Sequence, residues 1–396
     1  MKFEVTFTNL PSGYAAEFHP KGKEGPLKVL MTGYYTSDDG DKLIMGLDGI
    51  SAAYLSLLPA DQKIEESKIS SFLGIVKKDK SGTIHINDVK IIATCIPKKQ
   101  ISAGAAVYKD DIVDFLRAEI NNVVIPEDAG FALIISIGWR RVLLFDYLPL
   151  HEQFSGKRSF DIEQTLAHLL SYLTGRDRLF VTEKQWAGFF EQQWFPFSSL
   201  STDTIKLMKS YVEHGNLIDE LHDEIHKGLN GRCPELAAAI KTSETLSYHR
   251  DVLLKAIEHF QVGDFLSCTT MLYPRIEGVL RSWHNVVGAG KRASQENLII
   301  SVGTSVDGQP IASSLLLVQK FQEFLEVVYF AGFDPAKIEH VSKHTIGHGI
   351  APQEKLNLKA AMLGLMILEQ LVFLMSAGSF KNIGVTLSAP SSEVIR

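Results

Sequence analysis

Apolar and polar residues are patterned differently in the two halves of the chain. Near the start, Phe3, Val5 and Phe7 alternate with polar residues, the period-two signature of a strand with one buried face. Residues 27–31, 83–86, 89–93, 131–137 and 142–147 predict further strands, several of them bounded by Gly or Pro. Gly138-Trp139-Arg140-Arg141, between the last two, predicts a hairpin turn. Residues 50–58 and 110–120 read as helical patches, the second opening on two aspartates that suit a helix N-terminus. From residue 160 onward the period becomes helical. Leu166, Leu169, Leu170 and Leu173 share one face of a helix over 160–174, and 203–228 predicts one or two more. Four long helices follow, over 235–260, 265–287, 311–330 and 354–377. Their length and short connections predict an up-and-down bundle. A shorter helix precedes the last of them, with Asp334 as N-cap, Pro335 at its first position and Gly347 as terminator. That helix would carry Lys343 and His344 in its last turn and His348 just past its end. The fold class is α+β: a β-rich domain over 1–155, a helical connector over 156–232, an all-α bundle over 233–380 and a polar tail over 381–396.

Composition narrows the class. With 396 residues the chain can hold two or three domains. A net charge of -6 argues against a protein that grips long nucleic acid over its whole surface, and leaves room for a local basic site. Cys95, Cys233 and Cys268 are odd in number and far apart, which disfavours a disulfide scaffold or a zinc knuckle and fits a reducing, cytoplasmic setting. The first ten residues are polar and alternating, so no secretory leader is expected. The most apolar runs, 131–150 and 358–375, are interrupted by Arg140 and Arg141 and by Glu369 and Gln370, so no membrane span is expected.

The densest chemistry lies in Ser342-Lys343-His344-Thr345-Ile346-Gly347-His348-Gly349, where two imidazoles that titrate near neutral pH stand beside a fixed cation. Three readings stay open. Lys and His near a helix C-terminus cap free carbonyls and complement the macrodipole. His340, His344 and His348, four residues apart, would share a face of a continuous helix and hold a metal. Gly347 and Gly349 interrupt that helix, and no carboxylate or Cys follows at ligand spacing. The third reading is acid–base chemistry. Upstream, Leu272, Ile276 and Leu280 mark the apolar face of a helix on which Glu277 and Arg281 form an i,i+4 ion pair. Pro274 and Gly278 are costly inside that helix and call for a local reason. Downstream, Asn357 and Ala360 open a helix apolar almost all round, as at the centre of a bundle.

Pro-x-Ile-Glu-Gly-x-Leu-Arg, then basic-His-x-x-x-His-Gly, then Asn-x-x-Ala-x-x-x-Leu, in that order over residues 235–377, resembles bacterial proteins with a HEPN-type helical domain. Their usual text is Arg-His-x-x-x-His-Gly, a version of Arg-x(4–6)-His. The resemblance implies a metal-independent endoribonuclease without cofactor, of the kind found in toxin–antitoxin and anti-phage defence systems. It also implies two paired domains whose motifs face one cleft. Carried onto this chain, His348 takes the place of the motif His and Lys343 that of the motif Arg. His344 takes the polar position after it, and Glu277 the acidic position of the first block. RNA is cut without metal when a base removes the 2′-hydroxyl proton, the oxygen attacks phosphorus, and a cation stabilises the developing charge. DNA lacks that hydroxyl and would be spared.

Arg281, His284, Lys291 and Arg292, with Trp283, are the expected RNA contacts, by charge and stacking, if the loop after Val287 lies at the mouth of the cleft; otherwise Trp283, His284, Lys291 and Arg292 are ordinary surface residues. Expected partners are RNA, a second copy of the chain through the bundle, and an antitoxin or defence partner through the N-terminal domain, which itself resembles no family. Lysine at position 343 keeps the charge of arginine but loses its planar fork, and no arginine occurs between Arg292 and Arg396. The alternative is therefore a catalytically degenerate module that dimerises as a sensor or binds RNA or nucleotide.

Four further segments are read as structural. His222-Asp223-Glu224-Ile225-His226 departs from the zincin pattern at its second position and reads as a solvated helix face. Gly288-Ala289-Gly290-Lys291-Arg292 lacks the spacing and hydroxyl of a phosphate loop and reads as an interhelical connection. Gly156-Lys157-Arg158 and Arg176-Asp177-Arg178 read as solvated basic clusters.

Overall fold

The computed structural model describes residues 1–11, 15–18, 28–30, 32–62, 64–151, 158, 160–288, 290–333 and 341–380. The chain forms two units, one of residues 1–95 and 114–179, the other of residues 96–113 and 180–396. The expected boundary at 155 and the connector over 156–232 do not coincide with these units, because the helix ending at Leu179 packs within the first.

The first unit is built on strands β1 (Lys2–Thr6), β2 (Ala15–Phe18), β3 (Lys28–Leu30), β4 (Thr32–Thr36), β5 (Ser71–Val76), β6 (Ser81–Ile86), β7 (Ile91–Pro97), β8 (Ile112–Ile120), β9 (Gly130–Ile137) and β10 (Arg140–Asp146), with helices α1 (Asp41–Ala53) and α2 (Ile162–Leu179); the end of β7 from Ile96 and the start of β8 through Val113 belong to the second unit. Six strands make one antiparallel sheet in the order β1-β6-β5-β9-β10-β4, while β2–β3 and β7–β8 pair separately. Ala132 and Ile134 of β9 and Leu143 and Phe145 of β10 share a core with Leu43 and Ile50 of α1. The alternate residues Phe131, Leu133, Ile135, Val142 and Leu144 are buried too, and α2 packs on the same two strands. Burial on both faces explains why these strands read as near-continuous apolar runs.

Two expectations for this unit fail. Residues 110–120 are not helical. The aspartates belong to a single turn at Lys109–Asp111, and the segment beyond is β8, paired with β7. Asp114 is buried in that strand and accepts from Ser171 Oγ at 3.1 Å. Two arginines of the basic clusters are internal ties: Arg158 pairs with the fully buried Asp146 at 2.9 Å, and Arg176 pairs with Asp38, while Gly156 and Lys157 lie outside the described residues. Strand β5 has no counterpart among the expected strands. Its Gly74 leaves room for the Tyr54 ring, which a Cβ at that position would strike.

The second unit carries α3 (Glu183–Glu191), α4 (Thr202–His214), α5 (His222–Thr242), α6 (Arg250–Gln261), α7 (Phe265–Val287), α8 (Gln295–Val302), α9 (Val318–Phe324), α10 (Lys343–Gly347) and α11 (Leu358–Ser379). A π-helical segment, Leu325–Tyr329, continues α9. The helix expected over 235–260 is broken at 243–249, between α5 and α6. The one expected over 311–330 begins only at Val318, because Leu317 adopts a left-handed conformation, φ 51°.

Neighbouring helices α5, α6, α7 and α11 close a ring. It is not up-and-down. Tyr273 Oη donates to the Ala360 carbonyl at 3.3 Å, Gly364 sits against Leu272, and Gly378 sits against Trp283. Contacts that advance together along both helices mean that α7 and α11 run parallel, so residues 288–357 make a crossover. Helix α11, 22 residues with a mean hydropathy of 1.9, is long and apolar enough by composition to cross a bilayer, yet it is buried inside this unit. Its Glu369 and Gln370 are held internally. Gln370 accepts from the Ser198 N–H at 3.0 Å and donates to the Leu316 carbonyl at 2.9 Å, and Glu369 pairs with Arg232. Cys233 and Cys268 are buried free thiols that burial pushes up to about 12, so both are unreactive.

Candidate functional site

Helices α7 and α10 assemble the site. Ser342 caps α10 in a reciprocal box: the Thr345 N–H donates to Ser342 Oγ at 3.3 Å and the Ser342 N–H to Thr345 Oγ1 at 2.9 Å. This cap corrects the sequence expectation, because Lys343 stands in the first turn and not the last. The expected start at Asp334 and Pro335 lies outside the described residues. Gly349, at φ 68°, supplies the left-handed residue expected at Gly347. His348 does lie just past the helix end.

A cation at a helix N-terminus meets the positive end of the dipole, so the capping role weighed for Lys343 does not apply. A carboxylate compensates instead. Lys343 Nζ lies 2.6 Å from Glu277 Oε2 on α7, and Arg281 Nη2 lies 2.6 Å from Glu277 Oε1. The Glu277 side chain is 15% exposed. Burial works to raise its carboxyl, but the hydrogen bonds and charges of Lys343 and Arg281 together hold it below the ordinary range. Gly278 finds its reason here: a Cβ would lie 2.6 Å from His249 Cε1, so only glycine lets that buried ring cross α7. Pro274 is on the exposed side of the helix.

The π-helical segment sets the imidazoles. Tyr329 Oη donates to the Tyr273 carbonyl at 2.6 Å, one turn below Glu277. Ring centroids of Phe330 and His344 lie 6.3 Å apart, those of Phe333 and His348 5.6 Å, and those of the two imidazoles 6.4 Å at an interplanar angle of 23°. π-Helical turns often serve to place functional side chains. His344 is half-buried and His348 exposed. Burial first, then the Lys343 charge, keeps the His344 imidazole below its usual pKa, so it is neutral at physiological pH.

This depression has a measurable consequence. His344, and His249 for the same reason of burial, take a proton in the unfolded chain near 6.5 but only at lower pH when folded. Stability is then level above that pH and declines as pH falls below it. Glu277, lowered in the fold, adds a stabilising contribution that is present above its ordinary 4.5 and lost further down. The urea midpoint should hold steady from about pH 8 to 7 and fall between about pH 6.5 and 5. A level midpoint across that lower range would contradict the assignment.

The expected RNA contacts divide. Arg281 is 49% exposed, and its Nη1 donates to the Ala293 carbonyl at 3.2 Å, tying the loop that carries the exposed Lys291 and Arg292 to the site. His284 is 3% exposed, with Nδ1 at 2.6 Å from Ser301 Oγ and Nε2 at 2.9 Å from the Lys291 carbonyl. Trp283 is likewise buried and donates to the Ser301 carbonyl at 2.9 Å. Packing of α8 on α7 takes both away from solvent, so neither can contact RNA.

No group of three metal-ligating side chains occurs among the described residues, and His340 lies outside them. The His222–His226 face is not simply solvated: His222 sits 3.5 Å from Asp219, and the His226 ring packs on Phe260 and Phe265. Sequence reasoning missed Tyr329, Phe330, Phe333 and the Ser342–Thr345 box. The Ser-x-x-Thr spacing was the signal for the box; the aromatic residues had none beyond their density. No family model, no curated protein and no solved structure matches this chain.

Proposed function

We propose that this site is a metal-independent endoribonuclease centre on a HEPN-like helical module. The convergence of Lys343, His344, His348, Glu277 and Arg281, from α7 and α10, carries the reading. His348, exposed, takes the proton of a 2′-hydroxyl as the 2′ oxygen bonds to phosphorus. The bond from phosphorus to the 5′ oxygen breaks, and that oxygen leaves with a proton from a second, protonated imidazole, which the other copy supplies in a homodimer. Lys343 and Arg281 stabilise the charge on the phosphoryl oxygens. Arg281 brings the planar guanidinium that Lys343 lacks. Glu277 and His344 are positioning residues. A cytoplasmic setting, and an antitoxin or defence partner for the N-terminal unit, belong to the same proposal.

A second reading is favoured by one observation: Glu277 already takes both cations. On that reading the module binds RNA or nucleotide without cutting it. Incubation of the purified chain with varied RNAs in EDTA decides between them. Cleavage with 2′,3′-cyclic phosphate ends, and an intact DNA of the same sequence, is expected. RNA that is bound but left whole would favour the binding module.

A further inference from the structure

A cleft of about 300 Å³ opens beside these residues in the second unit. Tyr273, Val341, Ala360 and Leu363 give it apolar lining. Tyr273 lies one helical turn before Glu277, and Val341 two residues before Lys343, so the cleft and the phosphodiester site share a wall. Its volume is at the lower end for small-molecule sites, enough for a single unstacked base and too small for a duplex.

Its polar lining is specific. Asp219 is already paired with a cation: its Oδ1 accepts from Trp194 Nε1 at 2.8 Å and from Lys359 Nζ at 2.6 Å. Glu191, at the last position of α3, and Lys355 are both exposed and carry no ion pair among the described residues. Gln193 adds an amide. A carboxylate accepts two parallel N–H bonds, and an ammonium or amide beside it donates one. The complementary edge reads donor, donor, acceptor. Guanine presents that edge with N2–H, N1–H and O6. Adenine and cytosine each offer one exocyclic amine, and uracil a single N–H.

We propose that this cleft is a guanine-binding subsite, with Glu191 accepting from N1 and N2 and with Lys355 or Gln193 donating to O6. Its place next to a scissile phosphate rests on the ribonuclease reading; base binding does not.

Calorimetric titration of the full chain with GMP, AMP, CMP and UMP tests the subsite, since the common phosphate cancels between ligands. GMP should bind about tenfold more tightly than the others, and Glu191→Gln should remove that margin. Glu191 is exposed at a helix end, so the variant keeps its fold. Equal binding of the four nucleotides, or a preference for GMP that survives Glu191→Gln, overturns the proposal. If RNA is cleaved without preference for a neighbouring guanine and GMP is not selected, the subsite falls and the ribonuclease stands. If GMP is selected and no RNA is cut, the ribonuclease falls and the subsite stands.

Discussion

His348→Ala should abolish RNA cleavage, by about 10²–10⁴-fold, while the protein still folds. The imidazole is exposed at the C-cap of α10, and its only ring neighbours among the described residues are Phe333 and His344. Its backbone N–H donates to the His344 carbonyl at 3.0 Å, and an alanine there keeps that bond. Loss of rate with an unchanged circular dichroism spectrum and unchanged unfolding midpoint would assign the effect to chemistry. Lys343→Ala should also impair cleavage, but by a mixed route, because it leaves Glu277 with Arg281 alone. Lys343→Arg separates charge from geometry. It restores the fork and should retain cleavage or raise it. A His348→Ala protein that cleaves as well as the parent would end the catalytic reading whatever Lys343 does.

Arg232→Ala should be among the most destabilising single changes in the second unit, by about 3–5 kcal/mol. Glu369 lies in the middle of α11, its side chain 2% exposed, and burial raises its carboxyl even though Arg232 works against that. Arg232 Nε donates to Glu369 Oε1 at 2.8 Å, and Nη2 donates both to the same oxygen and to the Lys98 carbonyl, the latter at 2.9 Å. Removing the guanidinium strands a carboxylate among apolar side chains and leaves the carbonyl without that donor. Replacing both partners, Arg232→Met with Glu369→Leu, removes the charge as well as its counterion and should restore most of the loss. Denaturant unfolding followed by tryptophan fluorescence, to which the buried Trp186, Trp194 and Trp283 of this unit contribute, reads this. The sign with pH is also fixed. A carboxyl with a raised folded pKa destabilises increasingly as pH rises, so the Arg232→Ala deficit should be larger at pH 8 than at pH 5. A deficit independent of pH, or a double variant no better than the single one, would show that the pair is not what holds this part of α11.

Local pattern carries some elements fully. Phe265–Val287 is legible end to end because its apolar residues repeat at helical spacing over 23 positions. The β9–β10 hairpin is legible from its turn, with Gly138 at φ 61°. Residues 110–120 mislead because two aspartates suit a helix start and a strand turn equally well, and pairing with β7 decides between them. The 235–260 helix misleads because helical spacing does not register the break at 243–249, after which His249 packs against Gly278 of α7. Parallel α7 and α11 are hidden for a related reason: helix length and loop length suggest antiparallel neighbours, and only the packing of Gly364 and Gly378 fixes direction.

The candidate site divides along the same line. Sequence by itself singled out the groups, since Lys343, His344, His348 and the Glu277–Arg281 pair stand out by residue type and by helical spacing. Tertiary structure decided their arrangement. It put Lys343 on Glu277 across the space between two helices, set Phe330 and Phe333 against the imidazoles, and buried His284 beneath α8. Periodicity and caps act between residues a few positions apart, so a single stretch of chain encodes them. An ion pair between residues 277 and 343 depends on how α10 docks on α7, and that is settled only when the apolar faces of the whole unit pack together.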